Sequence, residues 1–269
     1  MTAFPTRVAL GRSDLQVSPL GVSGGMGVDA QSLRRALDRG VNYWYHGSLR
    51  RAGMTQAVRE LVAAGRRDEL VIVLQSYARW GWHLERSVAR GLRQIGIDHA
   101  DVLLLGMYNK APSERILERV DRMRDKGMFR HLAISGHERP AFVGYAADPR
   151  YRIVHIRYNA AHPGAEADVF PHVPAPSRPG VVAYTATSWG QLLQSKRMPA
   201  GEMPLRARDC YRFVLSNPDF NVCMTGPKNA AQMDEALAAL DAGPLSPEES
   251  KRIRRIGLHV SGKAVQSTA

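Results

Sequence analysis

Residues 98–105 read Asp98-His99-Ala100-Asp101-Val102-Leu103-Leu104-Leu105 and end in four consecutive apolar side chains. A helical stretch follows at Glu114–Lys126, and a second apolar run follows at His131–Ser135. Apolar runs, rather than alternating apolar and polar residues, are typical of parallel strands that are covered on both faces. This stretch therefore predicts two parallel strands joined by a helix.

The same alternation continues along the chain without a linker or a change in composition. Gly40 and Gly127 follow two of the helical stretches, as glycines commonly do at helix ends. Eight strands are predicted, at Leu20–Ser23, Val41–Tyr45, Leu70–Gln75, Asp101–Leu105, His131–Ser135, Ile153–Tyr158, Val181–Thr185 and Asn221–Thr225. The helices after them are predicted at Ser32–Arg39, Thr55–Ala64, His83–Ile95, Glu114–Lys126, Pro140–Ala147, Glu166–Phe170, Leu205–Leu215 and Ala230–Leu240.

Further elements lie before, within and after these repeats. A hairpin is predicted from Arg7–Leu10 and Leu15–Val17, with a turn between them. Ser246-Pro247-Glu248-Glu249 predicts the start of a last helix, because it supplies an N-cap serine, a first-turn proline and an N3 glutamate. Pro171–Pro179 is predicted to be a loop, since prolines interrupt regular strand pairing.

Eight strand–helix repeats predict the overall architecture. We expect an α/β fold, a closed (β/α)8 TIM barrel with an N-terminal β-hairpin and a C-terminal helix. The prediction is a single barrel domain that spans residues 1–269. A doubly wound open sheet of six or seven strands is the alternative.

The charge of the chain favours an anionic partner. Lys and Arg number 37 against 25 Asp and Glu, which gives a net charge of +12, and 31 of the positive residues are Arg. Such an excess can attract phosphate-rich ligands or nucleic acid. The basic residues are scattered, and no long basic block or RNA-binding aromatic motif occurs, so we expect an anionic small molecule rather than nucleic acid.

Other function classes are not indicated. The longest apolar runs are far shorter than the roughly 20 residues that cross a bilayer. Met1–Leu10 lacks the features of a secretory signal. Cys210 and Cys223 cannot form a disulfide framework, and no residue spacing is typical of a metal site. We therefore expect a cytoplasmic protein without membrane contacts; the sequence does not indicate its oligomeric state.

Functional sites of such barrels lie at the carboxyl ends of the strands. Side chains there that could transfer a proton are Tyr45, His46, Tyr108 and His137. Arg50 and Arg157 could hold a carboxylate or a phosphate through paired hydrogen bonds.

The loop after the eighth predicted strand has features of a phosphate-binding site. Thr225-Gly226-Pro227-Lys228-Asn229 leads directly into the helix that begins near Ala230. Free N–H groups at a helix start, together with one lysine, suit a phosphate group. The same pattern is equally compatible with an ordinary tight turn.

Several of these segments resemble aldo-keto reductases in the order in which they occur. The resemblance rests on Leu10-Gly11-Arg12-Ser13-Asp14-Leu15-Gln16-Val17-Ser18-Pro19-Leu20-Gly21, Ala36-Leu37-Asp38-Arg39-Gly40-Val41-Asn42-Tyr43, Arg67-Asp68-Glu69-Leu70-Val71-Ile72, Asp98–Leu105, Arg157-Tyr158-Asn159, Ala183-Tyr184-Thr185-Ala186 and Met224–Met233. It implies an eight-stranded barrel that binds NADP(H) in an extended form across the strand ends.

The catalytic positions implied by the resemblance hold different residues. That family uses an aspartate, a tyrosine acid, a lysine and a histidine. Aligned on the quoted flanks, Tyr45 stands in the aspartate position, Arg50 near the tyrosine position, Gln75 in the lysine position and Gly106 in the histidine position. A glutamine cannot lower the pKa of a phenol as an ammonium does, so the usual proton relay is absent.

The cofactor positions implied by the resemblance are better retained. Tyr184, followed by Thr185, stands where an aromatic ring stacks on the nicotinamide, and Lys228 and Asn229, after Gly226, stand where the 2′-phosphate is held. The remaining positions that we expect to bind the cofactor are Gln232 and Glu235 at the adenosine, Ser135 near the carboxamide, and Arg157 in place of a glutamine.

The resemblance and the retained positions favour an NADP(H)-dependent oxidoreductase. Its substrate would be a small carbonyl or alcohol, and its proton donor a non-standard one such as Tyr45 or His46. One alternative is a barrel enzyme without hydride transfer that dehydrates, isomerises or cyclises an anionic small molecule held by Arg50 and Arg157. Another is a non-catalytic binding or regulatory barrel, which predicts an exposed apolar patch.

Overall fold

The computed structural model describes residues 3–47, 49–174 and 178–262. The chain begins with an antiparallel hairpin of β1 (Val8–Ala9) and β2 (Gln16–Val17). Eight parallel strands then close into a barrel: β3 (Leu20–Ser23), β4 (Tyr43–Tyr45), β5 (Val71–Ser76), β6 (Ala100–Leu105), β7 (Phe129–Ser135), β8 (Tyr151–Arg157), β9 (Gly180–Tyr184) and β10 (Val222–Thr225). Because β10 pairs with β3, the sheet is closed and the open-sheet alternative is excluded.

Helices cover the outside of the barrel. They are α1 (Ala30–Asp38), α2 (Ala52–Ala63), α3 (Gly81–Ile95), α4 (Glu114–Asp125), α5 (Ala141–Ala147), α6 (Ala165–Asp168), α7 (Ala207–Leu215), α8 (Ala230–Ala242) and α9 (Pro247–Val260). Several of them, such as α3 and α4, are amphipathic and bury one stripe of apolar residues. On α3 this stripe is Leu84, Val88, Leu92 and Ile95, at helical spacing.

Most predicted elements are confirmed, with shifted ends. The helix predicted at Thr55–Ala64 begins three residues earlier, at Ala52, although no side chain caps it. The helix predicted at Glu166–Phe170 is a single turn, α6, followed by a 3-10 turn at Phe170–His172. That turn occupies the start of the Pro171–Pro179 stretch predicted to be a loop, whose positions 175–177 lie outside the described residues.

The barrel interior is filled by side chains at alternate strand positions. Tyr43 and His155 form a polar pair among them, with the Tyr43 hydroxyl 2.9 Å from His155 Nε2. Both are buried, and burial lowers the pKa of His155 to about 3. The apolar interior residues are Val71, Val73, Val102, Leu104, Ala133, Ile153, Val182, Val222 and Met224.

The hairpin packs against the amino ends of the strands. Leu10, Leu15 and Val17 are buried in the same cluster as the barrel interior. Gly11 bridges to Pro179, and its positive φ of 54° suits a glycine beside the closely approaching backbone of Gly180. The amino end of the barrel is therefore filled, and the carboxyl end carries the residues predicted to be functional.

Candidate functional site

Five predicted side chains lie together at the carboxyl end of the barrel. They occupy the last inward-facing position of their strands, because side chains alternate between the two faces of a strand. These residues, which we call the mouth, are Tyr45 on β4, Gln75 on β5, Ser135 on β7, Arg157 on β8 and Tyr184 on β9. Arg157 and Tyr184 are direct neighbours in the sheet register.

Tyr45 and Gln75 form a pair within the mouth. The Tyr45 hydroxyl donates a hydrogen bond to Gln75 Oε1. Burial raises the pKa of Tyr45 far above its ordinary value, the nearby Tyr77 raises this pKa further, and the positive charge of Arg51 lowers it. Tyr45 is therefore protonated at neutral pH and can act as a proton donor.

Gly106 leaves the room that this pair occupies. A Cβ atom added at Gly106 would lie 2.2 Å from Gln75 Nε2 and 2.8 Å from Tyr77 Cε1. Non-bonded atoms do not approach so closely. The Gln75 side chain can therefore take its present position only because residue 106 is a glycine. The side-chain positions of Gln75 and Tyr77 therefore depend on the absence of a side chain at position 106.

Tyr184 and Arg157 form the opposite half of the mouth. The Tyr184 hydroxyl donates a hydrogen bond of 2.8 Å to the carbonyl oxygen of Gly136, which fixes its ring. Burial raises the pKa of Tyr184 to about 12, and Arg157 lowers it. Arg157 is half-buried and forms no ion pair or side-chain hydrogen bond with any residue in the described part of the chain. Its positive charge is therefore uncompensated at the mouth.

His137 lies close to Tyr184 but faces solvent. Its ring centroid is 6.3 Å from that of Tyr184, and its backbone N–H donates to Asn109 Oδ1. Arg50 is also exposed and has a positive φ of 47° in the connection between β4 and α2. Both residues lie in connections at the carboxyl end, outside the ring of inward-facing positions.

The connection between β10 and α8 has the predicted strand–turn–helix geometry. Asn229 caps α8 by accepting from Gln232 N, and Gln232 Oε1 accepts from Lys228 N at 2.9 Å. Within the described ranges, the N–H groups of Ala230 and Ala231 have no acceptor, and the exposed Lys228 side chain has no carboxylate partner. This turn can therefore hold an anion.

Four other predicted cofactor residues have structural contacts. Ser135 is buried, and its hydroxyl accepts from Met107 N. Glu235 Oε1 accepts from Ala207 N at the start of α7. Thr185 has a left-handed φ of 61°, and its hydroxyl donates to Tyr184 O. Gly226 faces Met26, which a Cβ atom at this position would approach to 3.0 Å.

Two predicted proton-transfer residues lie away from the mouth. His46 is 1% exposed, and its Nε2 lies 2.9 Å from Thr55 Oγ1 of α2. Burial lowers the pKa of His46 to about 4, and Arg51 lowers it further, so His46 is neutral at pH 7. The buried Tyr108 hydroxyl donates to Ala78 O, and the Arg79 guanidinium lies 3.9 Å above its ring. The structure gives these two side chains packing contacts and brings neither to Tyr45.

One residue that contacts the mouth was not among the site residues predicted from the sequence. Tyr77 is half exposed and lies against both Tyr45 and the Gly106 backbone. The signal was its place directly after β5, since Val73 and Gln75 face inward and Tyr77 follows at the next alternate position, one residue beyond the strand end.

Two kinds of feature are absent from residues 3–47, 49–174 and 178–262. No group of three or more His, Cys, Asp or Glu side chains there is arranged to hold a metal ion. No helix there is long and apolar enough to cross a membrane.

Comparison with known proteins gives one kind of match. No family model matches the sequence, and no curated protein matches it. Two solved structures of the aldo-keto reductase AKR11C1 from Bacillus halodurans are similar, the apo form with a TM-score of 0.73 and the holo form with 0.76. In both cases the sequences are 20% identical, and the match covers 97% of this chain and 98% of the other.

This chain has the aldo-keto reductase fold. The match extends over nearly the whole of both chains, so the fold predicted from the quoted segments is confirmed. At 20% identity the likeness concerns the fold alone, since one fold supports many activities. Within this fold, the roles assigned above to the mouth and to the β10–α8 turn stay predictions.

Proposed function

We propose that the chain is an oxidoreductase of aldo-keto reductase type that uses NADP(H) on a small carbonyl or alcohol substrate. The observation that carries this proposal is the protonated Tyr45 phenol, held by Gln75 at the carboxyl end of the barrel. A phenol in that position can supply the proton that a carbonyl oxygen needs when a hydride is added to its carbon.

The β10–α8 turn and Tyr184 suit the cofactor. Lys228 and the free N–H groups of Ala230 and Ala231 offer a cation and two donors to a phosphate. Tyr184 presents a ring that its hydrogen bond to Gly136 holds in place. When bound, NADPH supplies the hydride. The similarity to the holo form of AKR11C1 also supports a cofactor in this chain.

Tyr45 is a weaker acid here than it would be beside a lysine. In the proposed step its O–H turns from Gln75 to the substrate oxygen, and the Gln75 amide and the charge of Arg51 stabilise the phenolate that remains. Because burial opposes this ionisation, we expect slow reduction rather than none.

The free charge at the mouth indicates which substrates fit. Arg157 is half-buried and has no carboxylate partner among the described residues. Guanidinium groups of this kind bind carboxylates through paired hydrogen bonds. A carbonyl compound that carries a carboxylate is therefore the proposed substrate class.

Titration with NADPH tests the cofactor assignment. We expect saturable quenching of protein fluorescence, weakened about tenfold in Lys228→Ala, because one charge-assisted contact to the 2′-phosphate is lost. Lys251→Ala, which changes an exposed lysine on α9, is the control and should bind as the parent does. NADH lacks the 2′-phosphate, so its affinity should be the same in both variants. Absence of NADPH binding at millimolar concentration would contradict the proposal.

A non-catalytic binding barrel is the second candidate. The large exposed apolar side chains of the described residues lie in connections that follow strand carboxyl ends or, for Trp82, in the first turn of α3, and we call them the apolar rim. Its members are Leu49, Tyr77, Trp80, Trp82, Met107, Trp189, Leu193 and Met203. An exposed apolar surface of this kind favours a binding role. NADPH binding with slow turnover would separate the enzyme from this alternative.

A further inference from the structure

A cavity lies beside the mouth, on the outer side of the barrel wall. Its volume is about 490 Å³, within the range of small-molecule sites. Leu74 and Ser76 of β5 line it, and these positions alternate with the inward-facing Val73 and Gln75. The cavity therefore lies between β5, the connection after it and α3, and it meets the mouth only at Gln75 and Tyr77.

Three arginines line this cavity, and no described carboxylate does. Arg51 donates to Gly47 O and to Gln94 Oε1, which are neutral acceptors. Arg79 donates to backbone carbonyls, including Gly106 O. Arg90 on α3 is exposed and has no hydrogen-bond or ion-pair partner in the described ranges. None of these three arginines forms an ion pair with an Asp or Glu of the described residues, so three positive charges line the cavity without a carboxylate beside them.

The start of α3 adds to this positive field. Trp80 is the N-cap residue and makes no side-chain capping bond, and the first turn contains no acidic residue. The free N–H groups of a helix start carry partial positive charge. Ser87 and His83, one turn apart on α3, add hydrogen-bonding groups to the same wall.

The remaining walls suit a planar ring. Trp80 and Tyr77 contribute aromatic surface, and the side chains of Leu74 and Val88 form an apolar floor. Trp80 is 70% exposed, which is unusual for a tryptophan that fills a core. An apolar, aromatic surface next to guanidinium groups that have no carboxylate partner matches a ligand that has both a ring and an anionic group.

We propose that this cavity is a binding site for an aromatic anion, a planar ring that bears a carboxylate or phosphate. The anionic group contacts Arg90 and Arg51, and the ring lies against Trp80 and Leu74. The site shares Gln75 with the mouth, but the groups that would hold the ligand, Arg90 and Trp80, lie outside the mouth, and the assignment does not rest on the proposed reductase activity.

Binding of 2-naphthoate, compared with its neutral analogue 2-naphthamide, tests this proposal. We expect isothermal titration to show 2-naphthoate binding at least about tenfold more tightly, because only the carboxylate uses the guanidinium groups. Arg90→Gln should remove most of that preference. Arg93→Gln is the matched control, since Arg93 is exposed on the same helix but does not line the cavity.

A third variant locates the ring. Trp80→Leu should weaken both compounds by a similar factor, because both stack on the same surface. Equal binding of the two compounds, no binding of 2-naphthoate at millimolar concentration, or equal losses in Arg90→Gln and Arg93→Gln would each overturn the proposal. Naphthyl phosphate in place of 2-naphthoate then distinguishes a phosphate-bearing ligand from a carboxylate. Because none of these measurements includes NADPH, their outcome is independent of the cofactor titration.

Discussion

At the residue scale, the chemistry of the mouth depends on what stands beside Tyr45. The Tyr45 phenol donates a hydrogen bond to the neutral amide of Gln75. An ammonium group in place of that amide would lower the pKa of the phenol. The sequence predicted both residues at the mouth, because each ends a strand in the quoted pattern. It could not predict their hydrogen bond or the part played by Tyr77, since these depend on how strands distant in sequence are placed around the barrel.

Removing the Tyr45 hydroxyl should stop proton transfer without loss of the cofactor. We expect Tyr45→Phe to lower NADPH-dependent turnover by about 100-fold or more, the size of effect typical of a lost general acid, with NADPH affinity unchanged. Tyr145→Phe is the control, because that hydroxyl donates to Tyr108 O outside the mouth. Conversely, Gln75→Lys should raise turnover, because an ammonium there lowers the pKa of Tyr45. Both effects are measured as the rate of NADPH oxidation, and an active Tyr45→Phe enzyme would exclude Tyr45 as the donor.

A side chain at position 106 should disturb the present position of Gln75. Gly106→Ala forces the Gln75 amide and the Tyr77 ring to move, and because both are ends of side chains that can shift, we expect a loss of at most about 1 kcal/mol of unfolding free energy. Gly144→Ala in α5, where no atom lies within 4 Å of the added Cβ, should be neutral or stabilising. The measurement is urea unfolding of both variants. If Gln75→Ala does not restore stability to Gly106→Ala, the proposed interdependence is wrong.

At the scale of elements, helix starts show what local sequence decides. Ser246 and Glu249 form the predicted capping box, with Ser246 Oγ accepting from Glu249 N and the Glu249 carboxylate accepting from Ser246 N. This could be predicted because all its atoms come from four consecutive residues. The early start of α2 at Ala52 could not, since no side chain caps it and its position follows from packing of Met54 and Ala57 in the core.

The capping box yields a prediction with an internal control. Ser246→Ala should cost about 1 kcal/mol of unfolding free energy, because a cap hydrogen bond to the first turn of α9 is lost. Ser113 also occupies an N-cap position, that of α4, but makes no side-chain capping bond. Ser113→Ala should therefore cost clearly less in the same urea titration. Equal losses of unfolding free energy in the two variants would show that the hydrogen bond of the Ser246 hydroxyl does not stabilise α9.

At the scale of the whole molecule, closure of the barrel buries titratable groups whose burial cannot be predicted from the sequence. The fold was predictable, because eight apolar runs and eight helical stretches recur in order. Burial of His155 with Tyr43 was not, since the pairing joins β8 to β4 across the interior. The cavity beside α3 could not be predicted either, because its lining comes from β5, α3 and the residues before α2, which are distant in sequence.

Buried histidines should make the fold sensitive to acid. Burial lowers the pKa of His155 to about 3 and that of His46 to about 4, against about 6.5 in the unfolded chain. The unfolded state therefore binds more protons than the folded state between these values, so stability is greatest above pH 6.5 and falls as the pH falls. At pH 5 the loss should be about 2 kcal/mol for each histidine.

Urea unfolding at pH 7.5 and at pH 5 measures this loss. His155→Gln should reduce the difference in stability between the two pH values, whatever its effect at pH 7.5. His259→Gln, exposed on α9, is the control and should leave the difference unchanged. Carboxylates with a lowered pKa, such as Asp148 beside Arg150, lose their contribution mainly below pH 4.5, outside the range compared. The same loss in the parent and in His155→Gln would contradict the assignment.

The hairpin at the amino end also affects how ligands leave. Because Leu10, Leu15 and Val17 fill that end, a molecule held inside the mouth leaves at the opposite end, past the exposed tryptophans and methionines around the opening. The rate at which the ligand dissociates then depends on what covers the opening as well as on the contacts that the ligand makes with the mouth residues. A bulky aromatic compound that rests across those side chains should lengthen the residence time of a smaller ligand beneath it, even though the two never compete for the same atoms.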